Sequence, residues 1–434
     1  MKILVLNSGS SSQKACLYEI GAILPQHPPA CLWEGKIEWN GDTAEIQVKG
    51  SQGIVLQENL PISSRGQLIR HLLRTLVDGK DPAIASPSEI DAVGHRVVHG
   101  GPHFSVPVVV TPDVRAAIAS VSDFAPLHIR AELEGIQIVE SILNTVPQVA
   151  VFDTGFHRQM PLSAAVYPGP YEWFESGIHR YGFHGINHQY CSERAAQLLG
   201  KDEKSFRLVT CHLGNGCSLA AIDGGRSIDT TMGFTPLDGL MMGTRSGSVD
   251  PGILTFLMRQ GRLNAQDIDD LLNKKSGLLG ISGLSGDMRD IVAAMRRGHE
   301  KSKLAFEIYV HRLKAAIGAM VAVLGGIDAL VFTAGVGENS ADVRAAACSN
   351  FEFLGIKLDG KENARPALDQ DISAAGSRVR VMVIRAQEDW AIARECWKLA
   401  QAAGDPATRK GSVSEPKSAD KGVRSGDAVV DLEH

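Results

Sequence analysis

Two stretches of this chain open in the same way, and that repetition limits its fold more than any other feature. Lys2-Ile3-Leu4-Val5-Leu6 is an apolar run of strand character; it breaks into the turn "NSGSSSQK" (7–14) and resumes as the strand-like "ACLYEI". In the second half, "FRLVTCHLGNGCSLAAIDGGRSIDT" (206–230) repeats that order of apolar strand, glycine-bearing polar turn and second strand. Further along each half, "IDAVGHRVVHGG" (90–101) is echoed by "IDALVFTAGVGEN" (327–339), both Ile-Asp-Ala strands running into polar, glycine-bearing ends. The repeated order predicts an α/β protein of two related halves, with strand ends from both converging on a cleft.

The remaining elements follow from hydrophobic periodicity. Strands are predicted at 31–39, 44–50, 53–57 and 148–153, the last ending at Asp153, and another within "RVRVMVIRAQED" (378–389), with Glu388 at its end. Helices are predicted at 65–78, near 112–121 and 130–144, at 300–326 and at 390–403. The helix at 300–326 is apolar around most of its late circumference, which predicts burial. Beyond Gly404 the chain turns to Lys, Ser, Asp, Gly and Pro, a composition that cannot support a core and predicts a disordered tail over 404–434. A length of 434 residues suits two or three domains, and a net charge of −5 gives no reason to expect nucleic acid or an anionic membrane as partner. No apolar run reaches the length of a membrane span, and seven scattered Cys without a CxxC fit a reduced, cytoplasmic compartment.

Four glycine-bearing turns follow strands: Asn7 to Lys14, His212 to Gly216, Asp223 to Arg226, and Gly335 to Asn339. None is a Walker loop, and the first is a hairpin. A pair of such turns at the openings of two halves suits a phosphate chain gripped from both sides. Arg96 and Arg245 lie among Gly, Val and Met, where an arginine either forms a structural ion pair or stabilises a transferring phosphoryl group. Asp153 and Glu388, at strand ends, can cap the following segment or hold magnesium through water. His95, His99 and His103 have the spacing of zinc ligands on a helix, but Val97, Val98, Gly100, Gly101 and Pro102 among them make a shared helical face untenable. His128 and His184 are ambiguous between packing and chemistry.

Taken in order, "LNSGSSSQK", "GHRVVHGG", "APLH", "VFDTGFH", "RYGFHGINH", "HLGNG", "DTTMGFTPLDGLMMGTRSG", "DMRD" and "AGVGEN" resemble the acetokinase family, within the acetate and sugar kinase, Hsc70 and actin superfamily. The resemblance runs from Met1 to about Gln401. It implies two actin-like ATPase (ribonuclease H-like) domains, residues 1–152 with 386–403 and residues 153–385, flanking an active-site cleft. It also implies reversible phosphoryl transfer from ATP to acetate, giving acetyl phosphate and ADP, with Mg2+ (Mn2+ as the alternative) and a homodimer. By motif, Asn7 and Glu388 resemble the metal-site residues and Arg96 the substrate-binding arginine. Asp153 resembles the catalytic acid; His184 and Arg245 resemble the transition-state stabilisers, with His128 nearby. Lys14, the run His212, Leu213, Gly214, Asn215 and Gly216, the stretch Asp287, Met288 and Arg289, and the run Gly335, Val336, Gly337, Glu338 and Asn339 resemble the ATP contacts. Val98, Leu127, Phe183 and Pro236 resemble an apolar pocket for the methyl group. Two anions must meet for a carboxylate to attack a phosphate, so the cations have a physical task.

The chain departs from the family's pattern in places. Ile129-Arg130 stand where Asn-Pro is common, adding a cation near the site; Gly155 stands for Ala and Ser248 for Asp, and "AQEDW" replaces Thr-Asn-Glu-Glu around Glu388. The rival readings are a propionate kinase with the same chemistry and an actin- or chaperone-like ATPase that drives a protein partner.

Overall fold

The computed structural model describes residues 1–9, 12–51, 53–261, 263–367 and 369–404. Met1–Trp397 form one compact unit and a second begins at Lys398, inside the last helix. All of the predicted tail after Gly404 lies outside the described residues.

The strands, in chain order, are β1 (Lys2–Ser8), β2 (Ser12–Glu19), β3 (Trp33–Asn40), β4 (Thr43–Gly50), β5 (Gly53–Pro61), β6 (Ala92–Val97), β7 (Val108–Val109), β8 (Gln148–Phe152), β9 (Arg207–Leu213), β10 (Cys217–Asp223), β11 (Arg226–Thr230), β12 (Ala329–Thr333), β13 (Gln370–Asp371) and β14 (Arg380–Val383). They build an eight-stranded sheet, β5-β4-β3-β2-β1-β6-β8-β7, and a six-stranded sheet, β11-β10-β9-β12-β14-β13.

The two sheets share a core order. In the first, β3-β2-β1 is antiparallel and β6 and β8 continue it in parallel. In the second, β11-β10-β9 is antiparallel and β12 and β14 continue it in parallel. The echoed Ile-Asp-Ala segments therefore occupy the same place, as β6 and β12. The parallel strands are covered on both faces, which is why β8 (QVAVF) and β12 (ALVFT) are buried at every position and lack a polar alternation.

Two close approaches set the helices that carry the chemistry. A Cβ at Gly94 of β6 would lie 2.5 Å from Ile392 Cγ2 and 2.7 Å from Cys396 Sγ, so only glycine lets the helix Glu388–Gly404 pack down on β6. A Cβ at Gly185 would lie 2.3 Å from the Asp153 carbonyl oxygen, so the helix Gly185–Leu199 starts in contact with the end of β8.

Several sequence expectations are corrected. Gly335 to Asn339 is a short helix, Ala334–Asn339, entered through Ala334 at φ +64°. Glu388 opens a helix five residues past the end of β14 and does not end the strand. The helix Pro126–Ile142 starts four residues earlier than expected, on a proline suited to a first helical turn. The long helix Glu300–Leu324 keeps an exposed face: its first half turns out Lys301, Lys303, Glu307 and Arg312, and its late part Ala315, Ala319 and Ala322, with Val323 52% exposed.

Candidate active site

Asn7, Arg96 and Asp153 come from the carboxyl ends of three adjacent parallel strands. The register pairs Leu6 with His95 and Arg96 with Val151, so the three residues lie along one sheet edge. On the second sheet, Thr333 pairs with His212, which puts the turn after β9 beside the helix after β12. Carboxyl ends of parallel strands are where open α/β sheets bind ligands.

Arg96 Nη2 donates to Asp153 Oδ2 at 2.7 Å, and its Nε stands 3.9 Å from Glu388 Oε2. Asn7 Nδ2 donates to the same Glu388 oxygen at 3.4 Å. Burial opposes the charge on Arg96, but Asp153, Glu388 and Glu132 together outweigh it and raise its pKa. Burial raises Glu388, against the opposing pull of Arg96, and pushes the neighbouring Asp389 up to about 6. Lys14, paired with Asn7 across the hairpin, acts electrostatically on both acids.

Asp153 also holds the turn that presents His184. Its Oδ2 accepts the His184 backbone N–H at 2.9 Å, and its carbonyl accepts that of Gly185 at 2.8 Å. These bonds support His184 at φ +58°, a left-handed conformation that costs energy for a residue with a side chain. The His184 ring lies flat on His212, with centroids 3.9 Å apart and planes 7° apart. Burial and then the neighbouring His212 lower His184 well below the usual imidazole range, and burial takes His212 down to about 4. Both rings are neutral at neutral pH.

Gly216 brings the opposing groups together. A Cβ there would lie 3.5 Å from Arg245 Nη1 and 3.6 Å from both Cε1 and Nε2 of His184. Arg245 has no acidic partner among the described residues; Nη1 donates to the Pro236 carbonyl at 3.3 Å, and burial lowers its pKa. His128 is pushed down to about 4, by burial first and then by Arg96 and Arg245.

The expected apolar residues are partly placed. Val98 and Phe183 are buried, and Pro236 is fixed through its carbonyl to Arg245. Leu127 lies in the helix Pro126–Ile142, but its side chain is outside the described residues.

The expected nucleotide contacts cluster around the second sheet's edge, except Lys14, which lies on β2 of the first sheet beside Asn7. Gly214 approaches Ala334, and Gly337 approaches Leu213, so the turn His212–Gly216 and the helix Ala334–Asn339 are neighbours. Val336 is partly buried in that short helix, and Asn339 Nδ2 donates to the Gly335 carbonyl. Glu338 Oε1 accepts the Ala386 N–H at 2.8 Å, two residues before Glu388. The Asn215 carbonyl accepts the Gly243 N–H at 3.1 Å, and Gly243 packs against Gly286, which precedes Asp287. Asp287 caps the helix Met288–Arg296; Met288 is buried, and the exposed Arg289 folds back onto the Asp287 carboxylate.

His95 bonds Gln148 at 2.7 Å, while His99 sits among Phe124, Tyr181 and Phe183, so the evenly spaced histidines turn to separate partners. Ile129 is buried in the core and Arg130 is exposed. Ser248 donates to Asp238 at 2.5 Å, a contact that an Asp in its place would turn into repulsion. Sequence reading missed Glu132, which is 1% exposed, accepts the Val98 N–H on both oxygens at 3.1 and 3.2 Å, and is pushed up to about 8 by burial. Its signal was the spacing of four from His128, which puts both on one helical face. His188, four residues after His184, carried the same signal.

The sequence model described as the acetokinase family matches residues 2–394. The acetate kinase of Cyanothece sp. is 59% identical over 403 residues, covering 92% of this chain and 99% of that protein. The acetate kinase of Nostoc punctiforme is 58% identical over 402 residues, with the same coverage. The crystal structure of Porphyromonas gingivalis acetate kinase superposes with a TM-score of 0.85 at 42% identity, covering 92% of this chain and 99% of that one. A propionate kinase from Francisella tularensis superposes with a TM-score of 0.84 at 38% identity and the same coverage. A family match over nearly all described residues, joined to relatives covered almost end to end, makes this chain a member of the acetokinase family.

Proposed function

We propose that the chain catalyses reversible, magnesium-dependent transfer of a phosphoryl group from ATP to acetate, giving acetyl phosphate and ADP. The observation that carries this reading is the setting of Arg96. It is a nearly buried cation at a strand end that contacts Asp153 and Glu388, next to buried Val98 and across from the Gly216 turn with Arg245 and His184. An arginine so placed can hold a small carboxylate in a fork, and a second one can meet charge on the group in flight.

Asn7 and Glu388 would hold the metal, through oxygen and water. The donor set fits a hard divalent cation: two oxygen-bearing side chains face each other, and the buried Asp153 Oδ1 beside them has no hydrogen-bond partner among the described residues. Mg2+ is the ion proposed, Mn2+ the alternative. When bound, the ion would offset negative charge on the phosphate oxygens.

The chain's own residues do the rest. Arg96 orients the acceptor carboxylate, and Asp153 fixes both Arg96 and the His184 turn. Arg245 and the neutral His184 face the transferring group from the Gly216 side, while His128 lies near both arginines. Lys14, His212 to Gly216, Asp287 to Arg289 and Gly335 to Asn339 are assigned to the nucleotide. Val98, Leu127, Phe183 and Pro236 are assigned to the methyl group.

A homodimer is proposed as well. The helix Pro251–Arg259 buries none of its residues in the single chain, and Ile253 and Phe256, three apart on one face, are 49% and 57% exposed, an apolar pair suited to a second copy. No described helix is long and apolar enough to cross a membrane; the cytoplasm is the compartment proposed, from cysteine usage. Propionate is the second acceptor reading, favoured by the likeness to the Francisella protein. The test is ATP turnover with and without acetate, with acetyl phosphate trapped by hydroxylamine. ATP hydrolysis indifferent to acetate would overturn the proposal in favour of an ATPase.

A further inference from the structure

Behind His184 runs a buried chain of hydrogen bonds that none of the motifs accounts for. His184 Nδ1 is 2.9 Å from Ser218 Oγ; the same oxygen is 2.7 Å from His188 Nε2; and His188 Nδ1 is 2.6 Å from Thr210 Oγ1. Ser218, His188 and Thr210 are all 0% exposed. Ser218 and Thr210 come from paired strands, β10 and β9, and His188 from the first turns of the helix that His184 opens.

With Ser218 both donating and accepting, such a chain has two proton arrangements, running in opposite directions; Ser218 accepting from both rings would leave its own buried proton unpaired, since its oxygen has no other partner among the described residues. In the first, the Thr210 hydroxyl donates to His188 Nδ1, His188 Nε2–H to Ser218, and the Ser218 hydroxyl to His184 Nδ1. His184 then carries its proton on Nε2. In the reverse arrangement His184 Nδ1–H donates to Ser218, Ser218 to His188 Nε2, and His188 Nδ1–H to Thr210. That leaves the Thr210 hydroxyl proton without an acceptor, since Thr210 Oγ1 has no other partner among the described residues. A buried unpaired donor biases the balance by about tenfold or more.

We propose that Thr210, His188 and Ser218 are positioning residues that hold His184 as the Nε2–H tautomer, so that it presents a neutral N–H donor at the Gly216 turn. Nε2 is the free edge of the ring: it faces the Gly216 turn near Arg245 and makes no hydrogen bond among the described residues. A bare lone pair there would repel phosphoryl oxygens, whereas an N–H attracts them. The lowering of His184 by its surroundings fits this, because a neutral ring donates from one nitrogen only and its tautomer decides which. His212 is set in a parallel way: Asn187 Nδ2, one residue before His188, lies 2.9 Å from its Nδ1.

The use made of the N–H rests on the proposed phosphoryl transfer; the tautomer does not. The experiment is a long-range 1H–15N spectrum of the full-length protein labelled on histidine, with the His184 signals assigned by their loss in His184→Asn. The expected result is a protonated Nε2 and an unprotonated Nδ1 for His184. Ser218→Ala should mix the tautomers and lower kcat by about 10-fold to 100-fold, as loss of a histidine's outer partner does elsewhere, while KM for acetate and ATP moves less. Ser218→Thr, which keeps the hydroxyl, should recover much of the loss. A wild-type His184 protonated on Nδ1 overturns the proposal even if the Ala variant does not fold, as does a folded Ser218→Ala protein with unchanged tautomer and kcat. Normal kcat in His184→Asn, with the Nε2–H tautomer seen in the wild type, would overturn the phosphoryl role and leave the relay standing.

Discussion

Arg96 Nη2 and Asp153 Oδ2 meet at 2.7 Å in a pair where Asp153 is fully buried and the Arg96 side chain is 13% exposed. Yet Arg96 Nε and Asp153 Oδ1, both buried, find no hydrogen-bond partner among the described residues. A structural ion pair would satisfy those atoms, because burying them unpaired is costly. In the proposed reading, those atoms are where the acceptor and the metal are held.

The two arginines should therefore fail differently. Arg96→Ala leaves Asp153 uncompensated in the interior and should cost about 3–5 kcal/mol of stability, along with a large rise in KM for acetate. Arg245 has no acidic partner among the described residues, so Arg245→Ala should barely move Tm while lowering kcat by ~10³-fold or more. Lys should rescue neither well, since it lacks the planar fork. Steady-state kinetics with thermal unfolding of both variants check this; a fully active Arg245→Ala enzyme would remove that residue from the chemistry.

Glu132 should make stability pH-dependent in a specified direction. Its folded pKa of about 8 lies above the usual carboxyl value of 4.5, so the folded state binds the proton more tightly than the unfolded chain. Its contribution is fully present below the unfolded value and is lost as pH rises toward 8. Glu132→Gln mimics the protonated form and should remove that loss. The variant's Tm should match the wild type near pH 5 and exceed it near pH 8.5; parallel Tm curves across that range would contradict the raised value.

Glu388→Ala should weaken saturation by the metal and leave the fold intact, because the side chain stands at a helix start, 19% exposed, outside the apolar core. Initial rates are titrated with magnesium at fixed ATP. The expected outcome is a higher half-saturation point and a lower maximal rate. An unchanged titration would take Glu388 out of the metal site.

Acceptor size is the fourth test. kcat/KM should fall from acetate to propionate and further to butyrate, with each methylene worth ~1–3 kcal/mol at most in a pocket of this kind. Val98 and Phe183 are buried against the core and cannot retreat cheaply to admit a longer chain. Propionate equal to or better than acetate would shift the assignment to a propionate kinase.

Much of this molecule was legible in the linear chain because local physics decides it. Apolar runs bounded by glycine turns read as strands wherever the run is continuous, and the segments that became β6 and β12 announced their equivalence by sharing Ile-Asp-Ala. The helix Arg65–Asp78 fell where its periodicity placed it. Gly335 to Asn339 was misread as a turn because glycine has poor helix propensity, and only packing against the end of β9 overrides that.

What the chain order could not decide is which groups meet. Asn7 and Glu388 are 381 residues apart, yet their side chains touch because β1 and β6 pair and Gly94 lets the last helix settle onto β6. Glu132 looks like a solvated helix acid until the fold buries it behind Arg96 and raises its pKa. The spacing of four puts His188 on the helical face of His184, but Thr210 and Ser218 come from two strands, so only the fold joins them to it. Propensity and periodicity are properties of neighbours in sequence, whereas charge compensation, desolvation and proton direction belong to neighbours in space.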